Sequence, residues 1–121
     1  MRTAPTPGTH WGIYDHKHRL VTMRPELASH QYRSTFGHEL GHAYYGHTGH
    51  LAKNERRADA WAAKHLLNFE MVMESARFTV DTNELALSMD VMPWVVKAFV
   101  GTLNHREASL ILERVRSVHS L

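Results

Sequence analysis

Apolar and β-prone residues fall in short clusters early in the chain and at helical intervals afterwards. Two such runs, Trp11 to Tyr14 and Leu20 to Met23, flank the polar stretch Asp15-His16-Lys17-His18-Arg19. That pattern predicts a β-hairpin. Pro25 ends its second strand, because proline has no N–H to give to a ladder. From about Ser29 or Gln31 to Tyr45, the residues Phe36, Leu40 and Tyr44 recur at helical spacing, and Gly46 stands where a helix stops. Two glycines make the segment 46 to 50 a loop.

A second helix is expected from about Asn54, its cap, to Phe69, with Ala58, Trp61, Ala62, Leu66 and Phe69 as its apolar face. Trp61 reads as a core anchor. Asp81 with Glu84 resembles a capping box for a third helix through about Met89. Asp90 and Pro93 open a fourth, since proline is accepted in a first turn. Asn104 with Glu107 opens the last, whose buried side carries Ala108, Ile111, Leu112 and Val115. Residues 1 to 9 read as a flexible lead-in, and residues 10 to 121 as a single domain.

Composition narrows the function. The 121 residues suffice for one core and include no cysteine, which removes disulfides and every thiolate metal site. No apolar stretch approaches a membrane span, and the first residues lack the apolar run of a signal peptide, so the chain reads as soluble and cytoplasmic. The net charge of +2 is too small to argue for nucleic acid, and without a basic cluster the helix-turn-helix flavour around Met92 to Phe99 reads as packing. The eleven histidines are the oddity. They are scattered rather than run together as a tag, and are densest between His38 and His50.

His38-Glu39-Leu40-Gly41-His42 has the form H-E-x-x-H within the first expected helix. Positions i and i+4 share a helical face, so both imidazoles can reach one ion. Glu39 is rotated by roughly 100° from His38. It cannot take the same coordination place, but it can lean over the ion and meet a bound water. Zinc lowers that water's pKa and the carboxylate takes the proton away.

Two histidines leave zinc under-coordinated. A third, downstream histidine in the pattern H-E-x-x-H-x-x-G-x-x-H needs glycine at 45 and histidine at 48, where this chain has Tyr45 and Thr48. The better third ligand is Glu55. It lies four residues before Asp59 at the start of the second helix, just past the loop that leaves the first. Asp59, on the same face, is suited to accept the ring N–H of a metal histidine.

With these residues in view the chain resembles the ImmA/IrrE metallopeptidases. The stretch Phe36-Gly37-His38-Glu39-Leu40-Gly41-His42, followed by Glu55-Arg56-Arg57-Ala58-Asp59-Ala60-Trp61-Ala62-Ala63, carries the likeness, which extends over roughly residues 12 to 68. The resemblance implies a gluzincin-type centre with one zinc per chain. His38, His42 and Glu55 match its ligands, Glu39 its general base and Asp59 its outer acid. It implies a protein substrate such as a transcriptional repressor, in a phage or mobile-element setting. Departures stand at Gly37, where alanine is common, at Trp61, where phenylalanine is usual, and at Leu67-Asn68-Phe69, which lacks a Met-Pro ending.

The expected fold is α+β: a small β-hairpin or sheet packed on a zincin-type metal helix, with three to four further helices. The strand around Leu20 to Met23 is placed to align an extended substrate through its backbone. Tyr45, His47 and His50 are secondary candidates for stabilising an oxyanion or contacting substrate. A rival reading keeps the same zinc ligands but has the protein act as a non-proteolytic regulator, by binding protein or DNA.

Overall fold

The structure of the chain is a computed structural model that describes residues 2–6, 10–49, 51–79 and 81–119. Among the described residues three strands precede six helices: β1 Arg2–Thr3, β2 Gly12–Asp15, β3 Leu20–Met23, α1 Ser29–Tyr45, α2 Ala52–Leu66, α3 Phe69–Ser75, α4 Thr82–Ser88, α5 Pro93–Gly101 and α6 His105–His119. The class is α+β. No helix among the described residues is long and apolar enough to cross a membrane.

β2 and β3 form the expected antiparallel hairpin, with Ile13 opposite Thr22 and Asp15 opposite Leu20. Its turn closes on side-chain chemistry. The Asp15 carboxylate accepts from the His18 backbone N–H at 3.3 Å and meets the His18 ring at 2.6 Å. Arg19 carries the positive φ that the reversal needs. The lead-in reading needs correction at Arg2 and Thr3, which pair in parallel with Thr22 and Met23. The sheet order is therefore β1-β3-β2, with β3 in the middle. A two-residue strand held by a partner twenty residues away leaves no local pattern to read.

α1 ends where expected, on Gly46 in the left-handed conformation. Its buried side differs from the expected apolar stripe. The residues turned inward are Ser34, Gly37, Glu39, Gly41 and His42, whereas Tyr44 is 69% exposed. The cause is close approach to α2. A Cβ on Gly41 would lie 2.9 Å from both the Cα and the carbonyl oxygen of Ala58. Two helices can touch at that distance only through small residues, so the bulky side chains move to the flanks.

α2 starts earlier than expected. Leu51 is the residue before its first turn, and Asn54 is buried within that turn instead of capping it. The helix also stops earlier, at Leu66. Asn68 then caps α3 by accepting from the Met71 N–H at 2.8 Å, so the apolar run through Phe69 divides into two helices. That division supplies the helix beyond the three to four expected alongside α1. Asp81 caps α4 as expected, accepting from Glu84 N–H at 3.0 Å, but the box is only half formed because the Glu84 carboxylate accepts from Thr79 and the Asp81 N–H donates to Thr79. Asn104 and Glu107 bond reciprocally at 3.2 and 2.8 Å.

The apolar core lies between α2 and α5, built from Ala63, Leu67, Val72, Ala86, Val95 and Phe99 among others. On α6, Ile111 packs against this core while Leu112 is 50% exposed, against expectation. The side chain of Val115 lies outside the described part. α1 is tied to the end of α4 by polar bonds. Arg33 donates to the carbonyls of Met89 and Asp90 at 3.0 and 2.8 Å, and the fully buried Ser34 hydroxyl accepts from Met92 N–H at 2.8 Å.

Candidate metal centre

The contact at Gly41 sets the geometry of the site. It lays the first two turns of α2 against the last turns of α1, and so brings Glu55 and Asp59 beside His38. His38 Nε2 lies 2.8 Å from Glu55 Oε2 and 3.0 Å from His42 Nε2, and His42 Nε2 is 3.4 Å from Glu55 Oε1. On the opposite side of the ring, His38 Nδ1 lies 2.7 Å from Asp59 Oδ1. Trp94 of α5 closes the arrangement, its ring edge-on to His38 at 5.8 Å. No signal in the sequence marks that tryptophan.

These donors suit a metal ion. His38, His42 and Glu55 each offer an atom within 4.8 Å of the others. Around a tetrahedral zinc with bonds of about 2.0 to 2.2 Å, donor atoms stand roughly 3.3 to 3.6 Å apart. The 3.4 Å separation is already in that range, and the 3.0 and 2.8 Å separations reach it by opening about 0.3 and 0.5 Å. With each imidazole neutral and its proton on Nδ1, the two Nε2 atoms would turn their lone pairs to the same place beside the Glu55 carboxylate, an arrangement that a cation relieves.

The site opens into a cavity of ≈ 930 Å³ whose walls include His38, Glu39, His42, Glu55 and strand β2. Glu39 is 8% exposed. β2 lies close over this part of α1 because its first residue is Gly12, where a Cβ would meet Thr35 Cγ2 at 2.9 Å and Met23 Sδ at 2.8 Å. Tyr14 and His16, joined at 2.8 Å, also line the cavity. Sequence reasoning did not single them out, although both sit in the strand and turn it had placed.

Of the secondary candidates, His47 lines the cavity and its Nδ1 is 3.0 Å from His42 Nδ1. Tyr45 is 45% exposed and stacks on His47. His50 lies outside the described residues. Trp61 is half-buried, stacked on His65 at 3.9 Å rather than seated in the core.

The two histidines of the motif titrate in opposite directions. Burial resists protonation of His38, but its hydrogen bond to Asp59 and the nearby charges of Asp59, Glu39 and Glu55 outweigh this, and its pKa is raised. Burial, together with the His38 charge, lowers that of His42. In the metal-free protein the proton on His38 contributes stability that is fully present below the ordinary value of 6.5 and lost as pH rises through the raised one. A metal ion bound through His38 must displace that proton. The logarithm of the affinity for a divalent metal plotted against pH is therefore expected to break twice. It should fall by one unit per pH unit from a point above 6.5, and by two only below the lowered value of His42. A chelator titration from about pH 5 to about pH 8 reads this directly, and one break with a slope of two would contradict it.

The sequence pattern of the peptidase M78 family, described as the IrrE N-terminal-like domain, matches residues 3–98. The chain belongs to this family. The match spans the sheet, the metal helix and α2 through most of α5, so the M78 pattern covers every residue placed at the centre. It agrees with the resemblance read from the two motifs, and identifies the chain as a metallopeptidase-type protein. No curated protein and no solved structure matches it.

Proposed function

We propose that this M78 protein is a zinc-dependent endopeptidase that cleaves an extended segment of a regulatory protein, such as a transcriptional repressor of a phage or mobile element. The observation that carries the reading is the convergence of His38, His42 and Glu55 beside a buried glutamate and below an edge strand. Bound there, zinc supplies charge that acidifies a water and polarises a carbonyl. Glu39 would take the proton of the attacking water and return it to the departing amine. Asp59 holds the His38 ring by its Nδ1–H, so that Nε2 stays aimed at the metal position.

Substrate alignment moves from β3 to β2. β3 is hydrogen-bonded along its whole length to β2 and, at Thr22 and Met23, to β1 on its other side, so half of that other edge is already taken. Among the described residues β2 is paired on one side only, and it borders the cavity, so its outer edge is the place for a substrate strand.

Purified protein should carry one zinc per chain and cleave a repressor-type substrate. Cleavage should cease with a chelator and return on adding zinc. A protein that cleaves equally well after its metal has been stripped contradicts the reading.

A further inference from the structure

A histidine just past the metal helix is fixed against the site by backbone geometry. α1 closes with two bonds: Gly46 N–H donates to Ala43 O at 3.2 Å and His47 N–H to His42 O at 2.9 Å. This is the Schellman pairing, which folds the residue after the left-handed glycine back over the residue five positions earlier. Here those residues are His47 and His42. Their Nδ1 atoms lie 3.0 Å apart. Tyr45 lies nearly parallel to the His47 ring, at 5.2 Å and 14°, and so orients its plane.

Two ring nitrogens at that distance share one proton. When His42 gives its Nε2 lone pair to a metal, its own proton must sit on Nδ1. His47 Nδ1 is then the acceptor, and His47 keeps its proton on Nε2. That Nε2 is buried and has no hydrogen-bond partner among the described residues, so no other contact competes to set the His47 tautomer.

We propose that His47 is a positioning residue. It accepts the Nδ1–H of His42 and holds the His42 Nε2 lone pair on the metal, as Asp59 does for His38. The inference rests on the reading of His38, His42 and Glu55 as zinc ligands. The two metal histidines then have unlike supports, one a carboxylate from α2 and the other a neutral imidazole from the turn that ends α1.

The test compares zinc affinity, by competitive chelator titration, in the wild-type chain, His47→Phe and His47→Asn. Phenylalanine keeps a ring to stack on Tyr45 but cannot accept a proton, whereas asparagine places an acceptor oxygen close to the old Nδ1. His47→Phe should weaken zinc binding about tenfold or more, and His47→Asn should stay within about threefold of wild type. Nitrogen-detected NMR of the zinc-loaded wild type should find the shared proton on His42 Nδ1. A proton on His47 Nδ1, a phenylalanine variant that binds like wild type, or an asparagine variant as weak as it, overturns this inference and leaves the zinc site standing. A wild-type chain that takes up no zinc overturns the ligand reading and this inference together.

Discussion

A Glu39→Gln variant is expected to keep its zinc and its fold while its cleavage rate drops by about 10²- to 10⁴-fold, the usual loss when a positioned general base is removed. Glutamine has nearly the shape of glutamate and Glu39 is not among the converging metal donors, so the centre is left in place. The side chain is buried beside the cavity, where water cannot readily stand in as base. Metal analysis and cleavage of a repressor-type substrate should be run on the same preparation. If Glu39→Gln retains full biological activity while His42→Ala abolishes it, the metal is structural and the protein works by binding. The regulator reading would then replace the peptidase.

The second large effect falls on stability. In an open helical position, glycine to alanine gains about 1 kcal/mol. At Gly41 the sign reverses, because the new methyl would meet backbone atoms of Ala58 at 2.9 Å, and backbone cannot rotate aside. Overpacking of this kind costs about 1 to 3 kcal/mol, enough to lower the melting temperature by roughly 4 to 12 °C in a chain of this size. Zinc affinity should fall as well, because separating α1 from α2 draws Glu55 away from the two histidines. Gly101→Ala is the control: nothing lies within 4 Å of its added Cβ, and it should be neutral or slightly stabilising. A Gly41→Ala variant that melts higher than wild type would mean that the two helices are not in contact there.

The readable parts of this chain were those governed by local rules. The hairpin, the glycine end of α1 and the caps at Asp81 and Asn104 each depend on a few adjacent residues, and the structure has them where the sequence put them. The paired motifs were legible for the same reason. Helical spacing sets His38 against His42 and Glu55 level with Asp59, so only the docking of two helices was left to infer. What escaped depends on partners distant in sequence, or on size rather than polarity. β1 exists because β3 offers it an edge, and Trp94 reaches His38 from α5. The inward face of α1 lay outside those rules, because hydrophobic periodicity looks for bulk, whereas the tight crossing with α2 selects glycine at 37 and 41. The contact between His47 and His42 did carry a signal: a histidine directly after a helix-ending glycine returns to the last turn.

The outer edge of β2 is four residues long and offers mainly backbone groups. An edge of that kind recognises the shape of a strand more than the identity of its side chains. A folded target keeps its own strands paired and its loops too curved to fit, so it must first release a stretch of chain. The speed at which such a protein is cut then follows how often that stretch opens by itself. On the peptidase reading, stability in the target, as much as its sequence, decides which proteins survive. A change that loosens a repressor far from any cleavage site would shorten its life.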